Sequence, residues 1–161
     1  MGKHDRPKHD AEGVVTAFSR YSVNRRSDFM KYAIAVGWAE SGLRNGLISN
    51  KGARGMMQVT EPAAIHATGL CPALVGLIPR RVSGNRIQYW YDKSSTNIRL
   101  GTCYLQHAYS TAGNWAGALV MYNGGYSALT KLNRGDRLPN ETAQYVVSIM
   151  NTVATCDKLG E

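Results

Sequence analysis

Residues 27–41 carry an apolar stripe at helical spacing that ends in an acid. The stripe consists of three apolar side chains and one carboxylate: Phe29, Ala33, Val36 and Glu40. A carboxyl that faces the interior from the last helical turn is disfavoured in its ionised form, both by desolvation and by the negative end of the helix dipole. Both effects raise the pKa, as a general acid working near neutral pH requires. Glu40 is therefore the candidate catalytic residue.

A structural interpretation of Glu40 is also open at this point. Arg44 lies four residues further on, a spacing at which the two side chains can form an ion pair on a frayed helix end. The segment by itself does not choose between the two interpretations.

The chain has the size and composition of one globular domain. It has 161 residues, of which 43% are hydrophobic and 19% charged. The longest apolar run covers residues 73–78, far short of the roughly 18 residues that cross a bilayer. We expect no transmembrane segment.

The pattern along the chain predicts a mostly helical fold. Residues 1–12 are polar and are expected to form a mobile tail, and the folded domain covers residues 13–161. The predicted helices are 13–23, 27–41 with Ser27 and Asp28 at its cap, one from Thr60 to near Gly69, one from Ser94 or Ser95 to Ala112, Trp115–Met121, and one after Asn140. Residues 42–59 are expected to form a loop or short hairpin, and residues 70–93 an irregular segment.

The net charge of +8 favours an anionic partner. A nucleic acid, an anionic membrane surface and an acidic polymer all fit, as does a basic surface that is only solvated. Nucleic-acid platforms interleave basic and aromatic residues on strands, and few strand-like runs occur here. We therefore expect no nucleic-acid partner.

Three cysteines and four histidines give no metal-site pattern. Cys71, Cys103 and Cys156 allow either one disulfide with a free thiol or a fully reduced chain. Zinc-site spacing is absent, and the His-Asp repeats at positions 4–5 and 9–10 fit a solvated tail better than a ligand set. No metal and no cofactor are expected.

Three further clusters combine polar groups with flexible backbone. Residues 49–58 place Gln58 after two glycines, residues 121–125 join a phenol and an amide to a Gly-Gly pair, and Glu141 opens the last helix. Each cluster alone is also typical of ordinary structure: core methionines, a turn, and an acid at a helix start.

Taken in order, the motifs resemble those of the soluble lytic transglycosylases, a peptidoglycan-cleaving family with a goose-type lysozyme-like fold. The resemblance covers about residues 30–150 and rests on four motifs: Glu40-Ser41, Gly55-Met56-Met57-Gln58, Tyr122-Asn123-Gly124, and Glu141-Thr142 with Tyr145-Val146. Three positions depart from the family pattern: Met56 replaces Leu, Met121 replaces Ala, and Gly125 replaces Pro. The implied fold class is mainly α, an α+β lysozyme-like domain with a small loop or hairpin region after the catalytic helix.

The resemblance implies cleavage of the β-1,4 bond between N-acetylmuramic acid and N-acetylglucosamine, with 1,6-anhydro ends. Glu40 is the implied acid and base, and Tyr122 would orient it or the substrate. Ser49, Gln58 and Asn123 would contact sugar groups, Met57 would pack in the cleft wall, and Glu141 would brace the site. The implied partner is the peptidoglycan glycan strand, bound by a monomer.

Two other functions stay open on the same fold. A hydrolytic muramidase needs a second carboxylate. None lies between Ser41 and Thr60, although Glu61, Asp92, Asp136 and Glu141 are candidates in space. A non-catalytic wall-binding or virion module would keep the cleft without needing the acid.

The expected site of action is the bacterial cell wall. Residues 1–10 are polar and lack the apolar core of a signal peptide. This is expected of a phage-encoded endolysin or virion-associated enzyme, or of the mature form of a periplasmic one.

Overall fold

The computed structural model describes residues 11–78 and 91–160. Within these ranges the chain forms α-helices and one 3₁₀ turn: α1 (Ala11–Tyr21), α2 (Ser27–Ser41), α3 (Glu61–Leu70), the 3₁₀ turn (Pro72–Leu77), α4 (Ser94–Ala112), α5 (Trp115–Asn133) and α6 (Asn140–Leu159). The predicted fold class, a mainly helical single domain, is confirmed.

Most predicted helices are present, with small differences at their ends. The N-cap of α3 is Thr60, whose hydroxyl accepts a hydrogen bond from the Ala63 amide over 3.3 Å, as the sequence predicted. The caps of α2 and α4 are instead Arg26 and Lys93, and neither makes a side-chain cap bond. The predicted serine caps are thus displaced by one position.

The fifth helix is longer than predicted. It does not end near Met121 but runs on to Asn133, with a kink at Gly125. Gly125 has φ of 79°, a backbone conformation that glycine adopts at little cost. The first helical segment of α5 therefore stops at the Gly-Gly pair, as the sequence predicted, and a second segment that was not predicted continues to Asn133.

Helix α4 is the centre of the fold. It packs against α1, α3 and α5, while α6 covers α2 and α5. Side chains from all these helices meet in one buried cluster, which includes Phe18, Val36, Leu100, Leu105, Leu119 and Ile149. The apolar stripe of α2 is buried as predicted, so α2 carries Glu40 on its core-facing side.

The loop after α2 folds back on itself without forming full strands. Isolated antiparallel bridges join Ile48 to Arg54 and Arg54 to Val59. Gly55, at φ of 78°, lies so close to α4 that a Cβ there would come within 2.6 Å of Asn97. The predicted short hairpin region is therefore present as a compact double turn held against α4.

A disulfide joins Cys71 to Cys103, and Cys156 is a free, exposed thiol. Of the two predicted cysteine states, the structure has the one with a single bridge. The bridge links the end of α3 to the middle of α4, so these two helices are covalently tied beside the cleft described below.

Part of the sequence-based organisation falls outside the described residues. Residues 1–10 of the predicted tail and residues 79–90 of the predicted irregular segment are among these, and α1 already begins at Ala11. In the described ranges, no helix has the length and apolar character needed to cross a membrane. The same ranges contain no group of three or more side chains suited to hold a metal ion.

Candidate active site

Glu40 lies in a cleft that two adjoining cavities form. The cavities have volumes of about 320 Å³ and about 660 Å³. Both are lined by the same group of residues: Glu40, Ser49, Lys51, Ala53, Gln58 and Asn123. Tyr104 and Tyr122 line the smaller cavity, while Glu141 and Tyr145 line the larger one. The structure thus brings together every predicted site residue except Met57 along one continuous cleft.

The surroundings of the Glu40 carboxyl shift its titration. Burial raises the pKa of Glu40 from 4.5 to about 7. A carboxyl with this pKa holds its proton for much of the time at neutral pH, and it loses and regains it readily. Desolvation thus produces the raised pKa that the sequence predicted.

The alternative role of Glu40 in an ion pair does not occur. The Arg44 guanidinium donates to the main-chain carbonyl of Ser41 over 2.8 Å, and no ion pair within residues 11–78 and 91–160 includes Glu40. Nor is the helix end frayed, because Gly42 closes α2 in the left-handed conformation with bonds back to Gly37 and Trp38.

The buried hydroxyl of Ser41 fixes the end of α2 to the loop that follows. It bonds to the Gly37 carbonyl at 3.0 Å and to the Met56 carbonyl at 2.7 Å, and it accepts from the Arg44 amide at 3.1 Å. These contacts anchor Ser41, the residue next to Glu40, both to its own helix and to the loop that follows. The position of Glu40 is therefore set by a rigid helix end.

Ser49 and Gln58 face the cleft from a loop that their own side chains stabilise. The Ser49 hydroxyl accepts from the amides of Lys51 and Ala53, at 3.3 Å and 3.0 Å. The Gln58 amide nitrogen donates to the carbonyls of Leu47 and Gly55, at 2.9 Å and 2.8 Å. Both amide hydrogens of Gln58 are thus used inside the loop. Gln58 therefore offers only its Oε1 acceptor to a ligand.

Met57 lies beneath the cleft, not in its wall. Its side chain is fully buried and packs so closely on α4 that a Cβ at Gly101 would come within 2.5 Å of its sulfur. The Met57 side chain therefore lies in the core below the cleft, and not in the cleft wall as predicted. Met57 acts through its main chain, which both Asn97 and Tyr122 hold.

Asn97 is a buried amide that organises this loop from α4. Its Oδ1 accepts from the Met57 amide at 2.8 Å, and its Nδ2 donates to the carbonyls of Arg54 and Tyr91, both at 2.8 Å. Every hydrogen of the side-chain amide thus has a partner, as a buried polar group requires. Sequence reasoning missed Asn97, because a lone Asn on a helix gives no sign that it faces a loop.

Tyr122 is placed near Glu40 but is anchored elsewhere. Its hydroxyl donates to the Met57 carbonyl over 2.7 Å. The resemblance implies that Tyr122 orients Glu40 or the substrate, and this role stays a prediction. Burial, followed by the nearby charges of Glu40 and Tyr104, raises the pKa of Tyr122 well above its usual value. Tyr122 is therefore a neutral phenol whose oxygen keeps lone pairs available beside the acid.

Asn123 and Glu141 both line the larger cavity, Asn123 from α5 and Glu141 from α6. The Asn123 Oδ1 accepts from the Thr142 hydroxyl at 2.9 Å, which ties the kinked part of α5 to the start of α6. The Nδ2 group of Asn123 is left to donate into the cleft. Glu141 lines the same cavity as Glu40 from the first turn of α6.

Tyr145 is a site residue that the sequence-based role assignments left out. Its hydroxyl is buried and makes no hydrogen bond within the described residues, although it lines the larger cavity with Glu40. Burial, then the charges of Glu40 and Tyr122, raises the pKa of Tyr145 well above its usual value. A buried phenol without a partner is costly, and here it faces the cleft beside the acid.

The other candidate carboxylates are accounted for. Asp92 pairs with Arg54 at 3.4 Å, and Asp136 pairs with Arg134 at 3.0 Å. Glu61 is exposed in the first turn of α3. Among the described acids, only Glu141 therefore shares the cleft with Glu40.

Residues 20–144 match the protein-family model described as Transglycosylase SLT domain. The chain belongs to this family. The predicted resemblance is confirmed, and family membership bears out the expectation of an enzyme.

Solved structures of lytic transglycosylases are similar in fold to this SLT domain. The 70 kDa soluble lytic transglycosylase of Escherichia coli is similar with a TM-score of 0.68 and 26% identity, covering 86% of this chain and 23% of that one. A 70 kDa soluble lytic transglycosylase in complex with bulgecin A is similar with a TM-score of 0.71 and 23% identity, and the match covers 94% of this chain and 25% of that one. An inactive mutant of the lytic transglycosylase Slt of Pseudomonas aeruginosa is similar with a TM-score of 0.68 and 20% identity, and the match covers 95% of this chain and 25% of that one.

The SLT domain spans about a quarter of the length of these structures. No curated protein matches it by sequence.

Proposed function

We propose that this chain is a peptidoglycan lytic transglycosylase that cleaves the β-1,4 bond between N-acetylmuramic acid and N-acetylglucosamine. The observation that carries the proposal is the carboxyl of Glu40, whose pKa is raised by burial to about 7 in a cleft of this family. A proton donor of this strength suits cleavage of a glycosidic bond near neutral pH.

In the proposed first step, Glu40 gives its proton to the glycosidic oxygen. The bond from that oxygen to C1 of the muramic sugar breaks, and the N-acetylglucosamine side leaves as an alcohol. The carbonyl oxygen of the substrate's own 2-acetamido group stabilises the positive charge at C1. This internal group takes the part that a second carboxylate plays in other glycosidases.

In the proposed second step, the same carboxylate acts as a base. Glu40 takes the proton of the C6 hydroxyl, and O6 bonds to C1, which gives the 1,6-anhydro end and a protonated Glu40. Atoms balance without water, so the reaction is that of a lyase. The pKa near 7 supports both steps, because one group must donate and then accept within a turnover.

The remaining cleft groups are proposed to bind the glycan. The free amide hydrogens of Asn123 and the Oε1 of Gln58 would meet acetamido and hydroxyl groups, together with the Ser49 hydroxyl. The unpartnered Tyr145 hydroxyl would bond the substrate or Glu40 once the cleft is filled. Met57 and Tyr122 would shape the floor, and Glu141 would brace the larger cavity.

A hydrolytic muramidase is the second candidate, and the place of Glu141 favours it. Glu141 lines the same cavity as Glu40, so it is the described carboxylate suited to activate a water. Glu141→Gln would then abolish turnover as fully as a change at Glu40. Under the lyase proposal, the Glu141→Gln variant keeps measurable turnover and makes only anhydro ends.

The test of the proposal is Glu40→Gln, which keeps the shape of the side chain and removes its proton transfer. Purified, folded Glu40→Gln protein is expected to release no soluble fragments from peptidoglycan, while it still binds to it. Circular dichroism and a urea titration show that the variant is folded. Substantial wall lysis by this variant contradicts the proposal. Unchanged wall binding with no lysis even in the wild type would point to a non-catalytic wall-binding or virion module.

The proposed setting is the bacterial cell wall, which the enzyme would reach as a periplasmic or a phage-encoded protein. The positive charge of the chain suits an anionic wall, and no nucleic-acid partner is proposed. We propose that it acts as a monomer.

A further inference from the structure

A second cavity of about 360 Å³ opens at the other end of α2 from the catalytic acid. Asp28 and Phe29 line it from the first turn of α2, twelve residues before Glu40, so it lies about 18 Å away along the helix. On α4, Gln106 lines this cavity while Tyr104 lines the cleft. Those two positions are about 200° apart around the helix axis. The cavity is therefore separate from the active site.

A rigid aromatic wall forms one side of this cavity. The indole of Trp115 stacks on Tyr32 with ring centres 3.9 Å apart and planes 9° apart. Tyr109 and Phe29 also pack against it, at 4.5 Å and 5.9 Å. Tyr109 and Trp115 are half-buried, so part of each ring reaches the cavity. Because the rings hold one another, a ligand would not have to order them on binding.

Two donors that border this cavity, the Gln106 Nε2 and the Trp115 indole N–H, have no hydrogen-bond partner among the described residues. Asn24 donates to the Gln106 Oε1 at 2.7 Å, which orients that amide and leaves its Nε2 hydrogens unused. Neither the Gln106 Nε2 nor the indole N–H of Trp115 is sealed from solvent. Arg26 and Asp28 add one charge of each sign at the rim, and no ion pair in the described ranges includes Asp28.

We propose that this cavity is a second, non-catalytic binding site for an N-acetylhexosamine unit of a glycan strand. A sugar ring has an apolar C–H face that packs on aromatic rings and a rim of hydroxyl and acetamido groups that bond to amides and carboxylates. The cavity supplies both kinds of surface, and its two rim charges cancel, as a neutral sugar requires. The choice of glycan rests on the proposed function. A second contact would keep the enzyme on an insoluble polymer between cuts.

The direct test is an NMR titration of Glu40→Gln protein with the tetramer of N-acetylglucosamine. The expected result is a saturable shift of the Trp115 indole resonance, which Trp115→Phe identifies by its loss. Gln106→Ala and Asp28→Ala each weaken this second binding about fivefold, the factor that corresponds to one ordinary hydrogen bond. Asn151→Ala is the matched control, because Asn151 is an exposed amide on α6 that lines neither cavity.

Two results of the titration would overturn the proposal. A Trp115 resonance that stays still while cleft resonances move overturns the proposal, as does a shift caused by a peptide of the wall and not by the sugar. In active enzyme, Gln106→Ala is expected to slow digestion of insoluble peptidoglycan severalfold while leaving kcat/KM on a soluble four-sugar glycan unchanged. If the wild type cleaves nothing yet the Trp115 shift occurs, the proposed function fails and the second site stands.

Discussion

The hydroxyl of Tyr122 donates to the main-chain carbonyl of Met57 across 2.7 Å, and this bond joins α5 to the loop beneath the acid. The same peptide segment is held from α4 by Asn97 at 2.8 Å. The floor of the cleft is therefore built from a backbone segment fixed on two sides. Glu40 lies above this floor on the end of a third helix, and its surroundings are set by packing before any ligand arrives.

Tyr122→Phe is expected to destabilise the fold by about 1 kcal/mol, because the Met57 carbonyl loses its buried donor. Wall-lytic activity should fall as well, since the loop that carries Gln58 loses an anchor. Urea titrations give the free energy of unfolding, and release of soluble fragments gives the activity. A variant with unchanged stability would show that the bond contributes nothing to the floor.

Tyr145→Phe is expected to behave in the opposite way for stability. The Tyr145 hydroxyl is buried and has no hydrogen-bond partner within residues 11–78 and 91–160, so removing it should leave stability unchanged or raise it by up to about 1 kcal/mol. Activity should nevertheless fall, because the hydroxyl is available only to substrate or to Glu40. Tyr122→Phe is the matched control, measured in the same assays. Full activity in the Tyr145→Phe variant would argue that the free hydroxyl has no part in turnover.

Asn97→Ala is expected to cost about 3 kcal/mol, since three backbone groups lose their buried partner at once. Thr130→Ala, a polar truncation at an exposed position, is the control and should cost little. Chemical denaturation compares the two. A cost below about 1 kcal/mol would mean that the loop keeps its shape without the amide.

The raised pKa of Glu40 links stability to pH with a definite sign. The folded chain holds this proton up to about 7, whereas the unfolded chain loses it near 4.5. The stabilisation that depends on this proton is therefore fully present below the pKa of the unfolded chain, and it is lost as pH rises through the pKa of the folded chain. Glu40→Gln removes this loss and is expected to be more stable than the wild type by about 3 kcal/mol at about pH 8, with little difference near pH 4. Equal stability of the two proteins at both pH values would contradict the raised pKa.

Removing the disulfide is expected to destabilise the domain by about 3 kcal/mol, as judged from the 32-residue separation of Cys71 and Cys103. Calorimetry of Cys71→Ser/Cys103→Ser against Cys156→Ser tests this, because Cys156 is free and exposed. The exposed thiol variant should melt as the wild type does. A double variant that melts at the wild-type temperature would show that the bridge adds no stability.

The sequence predicted the helices and the acid because both depend on local patterns. The stripe of α2 gave the direction of Glu40, and Thr60 marked the start of α3 through its cap. The helical segment that follows Gly125 was not predictable in this way, because a Gly-Gly pair is a stop signal and a helix directly beyond it depends on support from packing. Here α6 packs against α5 and supplies that support.

The partners of the cleft residues depend on contacts that are distant in sequence. Met57 was predicted in the cleft wall, but the close approach at Gly101 draws its side chain into the core. Tyr122 was predicted to orient Glu40 or the substrate, and the acceptor of its hydroxyl, a carbonyl 65 positions away, was not predictable from the motif. Asn97 and Tyr145 owe their roles to the same kind of contact, so motif spacing alone does not reveal them.

In the proposed mechanism, Glu40 acts alone as acid and then base, so that no water enters the product. This is tested most directly by mass spectrometry of fragments released from peptidoglycan by the wild-type enzyme in oxygen-18-labelled water. The expected products have 1,6-anhydro muramic ends that carry no label. Reducing ends that carry the heavy oxygen would rule out this mechanism and would assign the chemistry to hydrolysis.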